Sequence, residues 1–254
     1  MPQNSTVYSD RASYYVRGRP EYPIGIIGLL RSECGLSAAS TVADVGSGTG
    51  IFTRLLLEAA RRVYAVEPCP EMRETADGNL SACPNLVSVA ATAEDTTLKA
   101  GSIDIVTAAT AFHWFNIPMV RAEFSRILKP GGWVVVIENQ ARQETEYERA
   151  YARLKNRYAA KKSVKYAERY RSRDAAISDL YGGLPRREQL FPHAHAMDWE
   201  SLAARLLSRS AMPLDGEPGH SPMLEELRGI FERHQVEGLV TQRYVARVTF
   251  GHPA

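Results

Sequence analysis

The sequence predicts an α/β fold: a doubly wound, mostly parallel sheet with an antiparallel final strand, and a helical insertion after the fifth strand. Two patterns predict it. Short, valine-rich strands alternate with helical stretches over residues 1–140, as in βαβ units whose sheet is covered on both faces. From about residue 141 that alternation stops, and a polar, basic, tyrosine-rich stretch replaces it.

The elements follow in order. Residues 1–23 are polar and aromatic and end in Arg19-Pro20-Glu21-Tyr22-Pro23, where the prolines disfavour helix in the residues before them. An apolar helical run, IGIIGLLRSECGL, is capped by Gly35. Thr41–Val45 reads as a strand running into Gly46-Ser47-Gly48-Thr49-Gly50, then a helix, IFTRLLLEAARR. A second strand, Val63–Val66, stops at Glu67-Pro68. A helix over Pro70–Asn79, strands at Leu86–Ala90 and Ile103–Ala108, and a helix at Ile117–Leu128 follow. Leu128-Lys129-Pro130-Gly131-Gly132 makes the turn into a fifth strand, Trp133–Ile137. Beyond it, Tyr147, Tyr151, Leu154 and Tyr158 recur at helical spacing, helices are expected at Trp199–Ser208 and Pro222–Arg233, and a strand at Arg243–Phe250 alternates in polarity.

Composition bounds the function. A chain of 254 residues, 44% apolar and 24% charged, suits one large domain or one domain with an insertion. The net charge of +2 does not imply a polyanionic partner. Three cysteines without CxxC spacing argue against a disulfide framework or a zinc site, and no metal is expected. The N-terminus lacks the apolar run of a signal peptide, and no stretch of about 18 apolar residues occurs, so a cytoplasmic location and no membrane are expected.

The glycine cluster carries the chemistry. Gly46, Gly48 and Gly50 sit where a strand turns into a helix, a turn that needs positive φ and close approach of a ligand to bare backbone. Glu67 ends the next strand 21 residues beyond Gly46, where a carboxylate can accept both ribose hydroxyls of a nucleoside. No lysine closes the loop, which excludes a P-loop, and GxGxG departs from the GxGxxG of nicotinamide binders, leaving an oxidoreductase as runner-up within the fold.

VADVGSGTG resembles motif I of class I S-adenosylmethionine (SAM)-dependent methyltransferases. Further segments resemble their type 11 group, which includes the trans-aconitate methyltransferases: Tyr15-x-x-x-Arg19-Pro20-x-Tyr22-Pro23, Val66-Glu67-Pro68, Ala93-Glu94-Asp95, Ala111-Phe112-His113-Trp114-Phe115 and Leu128–Gly132. The resemblance implies a Rossmann-like core. It implies that Gly46, Ser47, Gly48 and Gly50 lie against the methionine part of SAM and that Asp44 orients the loop and the amino group. Glu67 takes the ribose hydroxyls and Pro68 flanks adenine. Ala93 and Glu94 border adenine, and Ala111 lies beside the cofactor. Tyr15 and Arg19 close over it, Arg19 toward its carboxylate.

Ligands of open α/β sheets sit beyond the carboxyl ends of strands, so His113, Trp114 and Phe115 are expected to face the transferred methyl group. His113 is the candidate general base, with packing and backbone hydrogen bonding as the alternative. Trp114 and Phe115 are candidate substrate contacts, or rings packed under a loop. The basic run Arg153, Lys155, Arg157, Lys161, Lys162, Lys165, Arg169, Arg171 and Arg173, interleaved with Tyr158, Tyr166 and Tyr170, leaves three readings open: an RNA-binding surface, a solvated helix face, or cations for an anionic small substrate. The missing asparagine-proline-proline-tyrosine type motif after the fourth strand speaks against nucleic acid.

The expectation is therefore a SAM-binding core with an N-terminal lid helix over 1–140 and a helical substrate lid over 141–185. Residues 186–254 then complete the sheet and the remaining lid. The activity expected is methyl transfer to oxygen or nitrogen of a small molecule, a carboxylate included, yielding S-adenosylhomocysteine. Methylation of RNA or protein docked on the basic lid, and non-catalytic SAM binding, are the alternatives.

Overall fold

A computed structural model describes residues 11–160 and 173–253. Lys161, Lys162, Lys165, Tyr166, Arg169, Tyr170 and Arg171 of the basic run lie outside the described residues.

One seven-stranded sheet organises the chain. Its strands are β1 (Thr41–Val45), β2 (Arg62–Val66), β3 (Leu86–Val89), β4 (Ile103–Ala109), β5 (Leu128–Ala141), β6 (Arg186–Met197) and β7 (Val240–Gly251), in the spatial order β3-β2-β1-β4-β5-β7-β6. The first five run parallel. The final strand, β7, is antiparallel to both of its neighbours, β5 and β6. Strand order reverses between β1 and β4, so the connections leaving their carboxyl ends diverge and open a crevice.

Helices α1 (Ala12–Gly18), α2 (Gly25–Cys34), α3 (Ile51–Leu57), α4 (Pro70–Asn79), α5 (Ile117–Ile127), α6 (Glu146–Tyr158), α7 (Arg173–Leu180), α8 (Trp199–Leu207) and α9 (His220–His234) fall into two groups. Sheet-covering helices form the first. Ile26, Ile27 and Leu30 of α2 and Phe52 and Leu56 of α3 pack on Val42, Ile105, Val135, Ile137 and Val248. On the other face Val120, Phe124 and Ile127 of α5 join Ile177 and Leu180 of α7 over Val106, Val134 and Val136. The β1 burial pattern is unbroken because side chains alternate between these two cores.

The second group builds a third core beyond the carboxyl end of β5. Tyr147, Tyr151 and Leu154 of α6, Leu202 and Leu206 of α8, and Leu227 and Phe231 of α9 pack with Met197 at the end of β6 and Val240 at the start of β7. A capping box starts α6: Thr145 Oγ1 accepts from Glu148 N (3.1 Å), while Glu148 Oε2 accepts from Thr145 N (2.9 Å). Arg243 of β7 grips the same carboxylate, pinning α6 to the sheet.

Three features differ from the expectation. Within 141–185, α6 joins the third core beyond β5, whereas α7 packs along the sheet and buries Ile177 and Leu180 against it. Tyr181 follows and donates to Val134 O and Thr249 O, both at 3.1 Å. Strand β6 is the second difference: it has no apolar alternation to announce it. RREQLFPHAHAM is an edge strand, exposed over most of its length, and tolerates Pro192 because it bonds to β7 alone. The LKPGG segment forms the irregular start of β5 instead of a free turn, with Lys129 Nζ 2.8 Å from both Asp104 oxygens.

Candidate functional site

The loop after β1 turns on three left-handed glycines: Gly46 (φ 72°), Gly48 (φ 55°) and Gly50 (φ 81°). Each has a different neighbourhood. A Cβ on Gly46 would lie 2.4 Å from the Ala111 methyl, and one on Gly50 would lie 2.7 Å from Leu80 Cδ1. A Cβ on Gly48 would meet nothing within 4 Å. The outer glycines thus let the loop pack down, while Gly48 keeps bare backbone facing open space. Gly46 N and Ser47 N both donate to Val66 O (2.8 and 3.2 Å), tying the loop to β2. The Thr49 hydroxyl is buried with no hydrogen-bond partner among the described residues.

Two carboxylates flank the loop. Asp44 is buried on β1 and accepts from Thr53 Oγ1 and Thr107 Oγ1, both at 2.7 Å. Burial pushes its pKa up to about 6 against the opposing pull of those two hydroxyls. Its carboxylate therefore ties β1 to α3 and β4. Glu67 ends β2 and reaches back over the loop, with Oε2 accepting from Gly48 N (3.0 Å) and Oε1 from Cys69 N (2.9 Å). Burial raises its pKa, while the Cys69 and Gly48 amides oppose the shift. An ionised carboxylate offers about four acceptor positions, so two remain for a ligand. Pro68 beside it is exposed.

Beyond β4, Thr110 turns the chain with a φ of 57°, held by its N–H to Ile137 O (2.7 Å) and by Tyr22 Oη, 2.7 Å from its hydroxyl. Ala111 then packs its methyl on Gly46 and leads into a 3₁₀ turn, Phe112–Trp114. His113 and Trp114 are half-buried with ring centroids 5.2 Å apart. Phe115 sits edge-on to Phe112 (6.2 Å) and Phe124 (6.3 Å), below Gly46, so it forms the floor of the loop. Glu94 Oε1 accepts from Asn116 N (2.9 Å), anchoring the end of this segment, and Ala93 is buried in the core beside α5.

Helix α1 closes the opposite side. Tyr15 packs on Cys69 and Met72 next to Glu67. Arg19 stacks over the Tyr15 ring at 4.3 Å and donates to Ser208 Oγ (3.1 Å) at the end of α8. The helix approaches α8 so closely that a Cβ on Gly18 would lie 2.2 Å from Arg205 N. Arg11 donates to three carbonyls, Leu207 O, Arg209 O and Met212 O, at 2.5–2.7 Å, capping α8.

The fold thus gathers the loop glycines, Glu67, Ala111 and Phe115 at the crevice, with Tyr15 and Arg19 beside it. Asp44 and Glu94 brace it from below. Tyr22, Thr110, Arg11 and Arg205 carry no role in the sequence reading. Tyr22 lies in the RPxYP segment, but its partner is 88 residues away. Among the described residues no group of three histidines, cysteines, aspartates or glutamates is arranged to hold a metal, and no helix is long and apolar enough to cross a membrane.

Residues 43–136 match the methyltransferase domain family. An uncharacterized methyltransferase of Mycobacterium tuberculosis is 36% identical over 135 residues, 53% of each chain. A methyltransferase-like protein of Schizosaccharomyces pombe is 31% identical over 145 residues, 57% of this chain and 56% of its own. The matches span about half the length of these curated relatives. A structure from Anaeromyxobacter dehalogenans described as a type II methyltransferase shares the fold, with a TM-score of 0.66 at 23% identity over 93% of this chain and 99% of that one.

Proposed function

We propose that this chain, which carries a class I methyltransferase domain over residues 43–136, binds SAM and transfers its methyl group to oxygen or nitrogen of a small-molecule acceptor. One observation carries the reading: the Glu67 carboxylate lies 3.0 Å from the bare backbone of Gly48, at the strand-order switch point, and nothing stands where a Gly48 side chain would project. Such a cradle fits a nucleoside with a small polar tail. The buried Thr49 hydroxyl adds an unfilled hydrogen bond to the same loop.

When bound, SAM supplies an electrophilic methyl carbon on a sulfonium. Glu67 accepts the ribose hydroxyls with its two remaining acceptor positions. Gly46, Ser47, Gly48 and Gly50 line the methionine part, Ala111 and Phe115 support the loop from beneath, and Asp44 holds its base. Pro68, Ala93 and Glu94 border the adenine. Tyr15 and Arg19 cover the site and exclude water. His113, beyond β4, takes the proton of a hydroxyl or amine acceptor at an imidazole nitrogen, and Trp114 orients the acceptor. For a carboxylate acceptor that proton transfer is not needed, and positioning supplies the rate.

Three of the four described cations of the basic run support a small acceptor over a polymer. Arg157 is paired with Glu226, and Arg173 with Glu138, while Lys155 is part-buried. Titration calorimetry with S-adenosylhomocysteine tests the reading: a saturable, one-to-one isotherm is expected, weakened by about 1–3 kcal/mol in Glu67→Ala. Absence of binding to the folded wild-type protein overturns it.

A further inference from the structure

Between the third core and the sheet lies a group of buried polar side chains that the cofactor site does not use. Arg205 of α8 is 6% exposed, stacks its guanidinium over the Tyr244 ring at 4.9 Å, and its Nε has no hydrogen-bond partner among the described residues. Lys155 of α6 lies 5.1 Å from the Tyr151 ring. The hydroxyls of Tyr147, Tyr151 and Tyr244 and the Nδ1 of His195 are buried there, also without hydrogen bonds among the described residues. Four elements, α6, α8, β6 and β7, converge to place them.

The charge of this group is one-sided. Burial first, and then the charges of Arg209, Arg205 and Arg19, lower the Lys155 pKa to about 7. Neither Lys155 nor Arg205 makes an ion pair among the described residues. Two carboxylates that act on the group's tyrosines and His195 are committed elsewhere: Glu148 to Arg243, and Glu21 to Arg54. Buried polar groups are normally hydrogen-bonded, and buried charges normally compensated, since leaving either unmet is costly. Here three buried hydroxyls and a guanidinium nitrogen have no hydrogen-bond partner among the described residues, and the part-buried Lys155 ammonium lies beside them.

We propose that Lys155, Arg205 and the hydroxyls of Tyr147, Tyr151 and Tyr244 form the recognition site for an oxyanionic group, carboxylate or phosphate, on the small acceptor. This rests on the methyltransferase reading and names its substrate class. An oxyanion satisfies the donors and the cations at once, and the planar guanidinium matches its geometry. The group also joins the cofactor side. Arg19, stacked on Tyr15 beside Glu67, acts electrostatically on Lys155, Tyr244 and Tyr22 alike, and Tyr22 is bonded to Thr110, the residue before Ala111.

Thermal melting of the full chain, saturated with S-adenosylhomocysteine, is measured against succinate, citrate, inorganic phosphate and the uncharged analogue succinamide. Saturable stabilisation by a carboxylate or by phosphate is expected, and identifies which oxyanion is bound; succinamide has no effect. Arg205→Gln and Lys155→Met each weaken the response at least tenfold. Lys155→Met also melts at or above the wild-type temperature without anion, because it removes a part-buried charge from among other cations. No response to any anion, a response to succinamide, or anion responses unchanged in both variants overturns the proposal. So does a Lys155→Met protein that melts lower while keeping its anion response, since that marks a structural lysine. Calorimetry of S-adenosylhomocysteine on the same samples separates the readings: cofactor bound with no anion response sinks this inference alone, and no cofactor binding sinks the methyltransferase reading.

Discussion

Gly46→Ala and Gly48→Ala separate folding from ligand binding within one loop. Both glycines have left-handed backbones, at φ 72° and 55°, which cost an alanine about 1–2 kcal/mol. The structure makes their side-chain surroundings opposite. The new methyl at position 46 would stand 2.4 Å from Ala111 Cβ, against an optimal separation of roughly 3.5–4.0 Å between carbons. Relieving that overlap in a close-packed region costs about 1–3 kcal/mol more. Gly46→Ala should therefore lose about 2–5 kcal/mol of stability, a large share of the roughly 5–15 kcal/mol typical of a folded protein. Gly48→Ala should lose only the backbone contribution, yet bind S-adenosylhomocysteine much more weakly, because its methyl enters the space proposed for the ligand. Urea unfolding at constant slope gives the stabilities, and calorimetry gives the affinities. Adding Ala111→Gly to Gly46→Ala should restore at least about 0.5 kcal/mol through direct coupling. Equal destabilisation by the two glycine substitutions, with no rescue from Ala111→Gly, would refute the packing argument.

Other perturbations probe the remaining groups. Glu67→Ala should weaken cofactor binding by about 1–3 kcal/mol, the scale of hydrogen bonds to a charged group, and calorimetry on the folded variant reads it directly. Asp44 ionises near pH 6 when folded and about 3.9 when unfolded, so between these values the folded state holds more proton. Stability then falls as pH rises from about 4 to 6, and the buried charge costs roughly 3 kcal/mol above that window. In Asp44→Asn this part of the slope should vanish; urea titrations at pH 4–8 that run parallel for the two proteins would contradict it. His113→Ala should keep cofactor affinity within about threefold and lower single-turnover rate at least about 10²-fold for a hydroxyl or amine acceptor. An unchanged rate would instead favour a carboxylate as the methylated group.

The parallel strands, the glycine loop and Glu67 were legible because each follows from local chemistry. A strand buried on both faces must be apolar throughout, and a loop with three positive φ angles calls for glycine. The polarity alternation of β7 was legible for the same reason. Strand β6 was not, because an edge strand needs only the ladder supplied by β7, and its own side chains remain mostly exposed. Nor could spacing separate α6 from α7, since what distinguishes lid from sheet cover is the partner each finds.

The sequence by itself determined that a βαβ sheet ends in a glycine loop with a carboxylate across it, since Gly46 and Glu67 lie close together in the chain. It also showed the tyrosine stripe and the basic run, without saying which of their members turn inward. Only the tertiary structure decided that. Docking α6 against α8, β6 and β7 brings Lys155, Tyr147 and Tyr151 to Arg205 and Tyr244, residues far away in sequence. Helical periodicity reports which residues share a face, whereas burial, charge and unmet hydrogen bonds depend on what the rest of the chain places opposite that face.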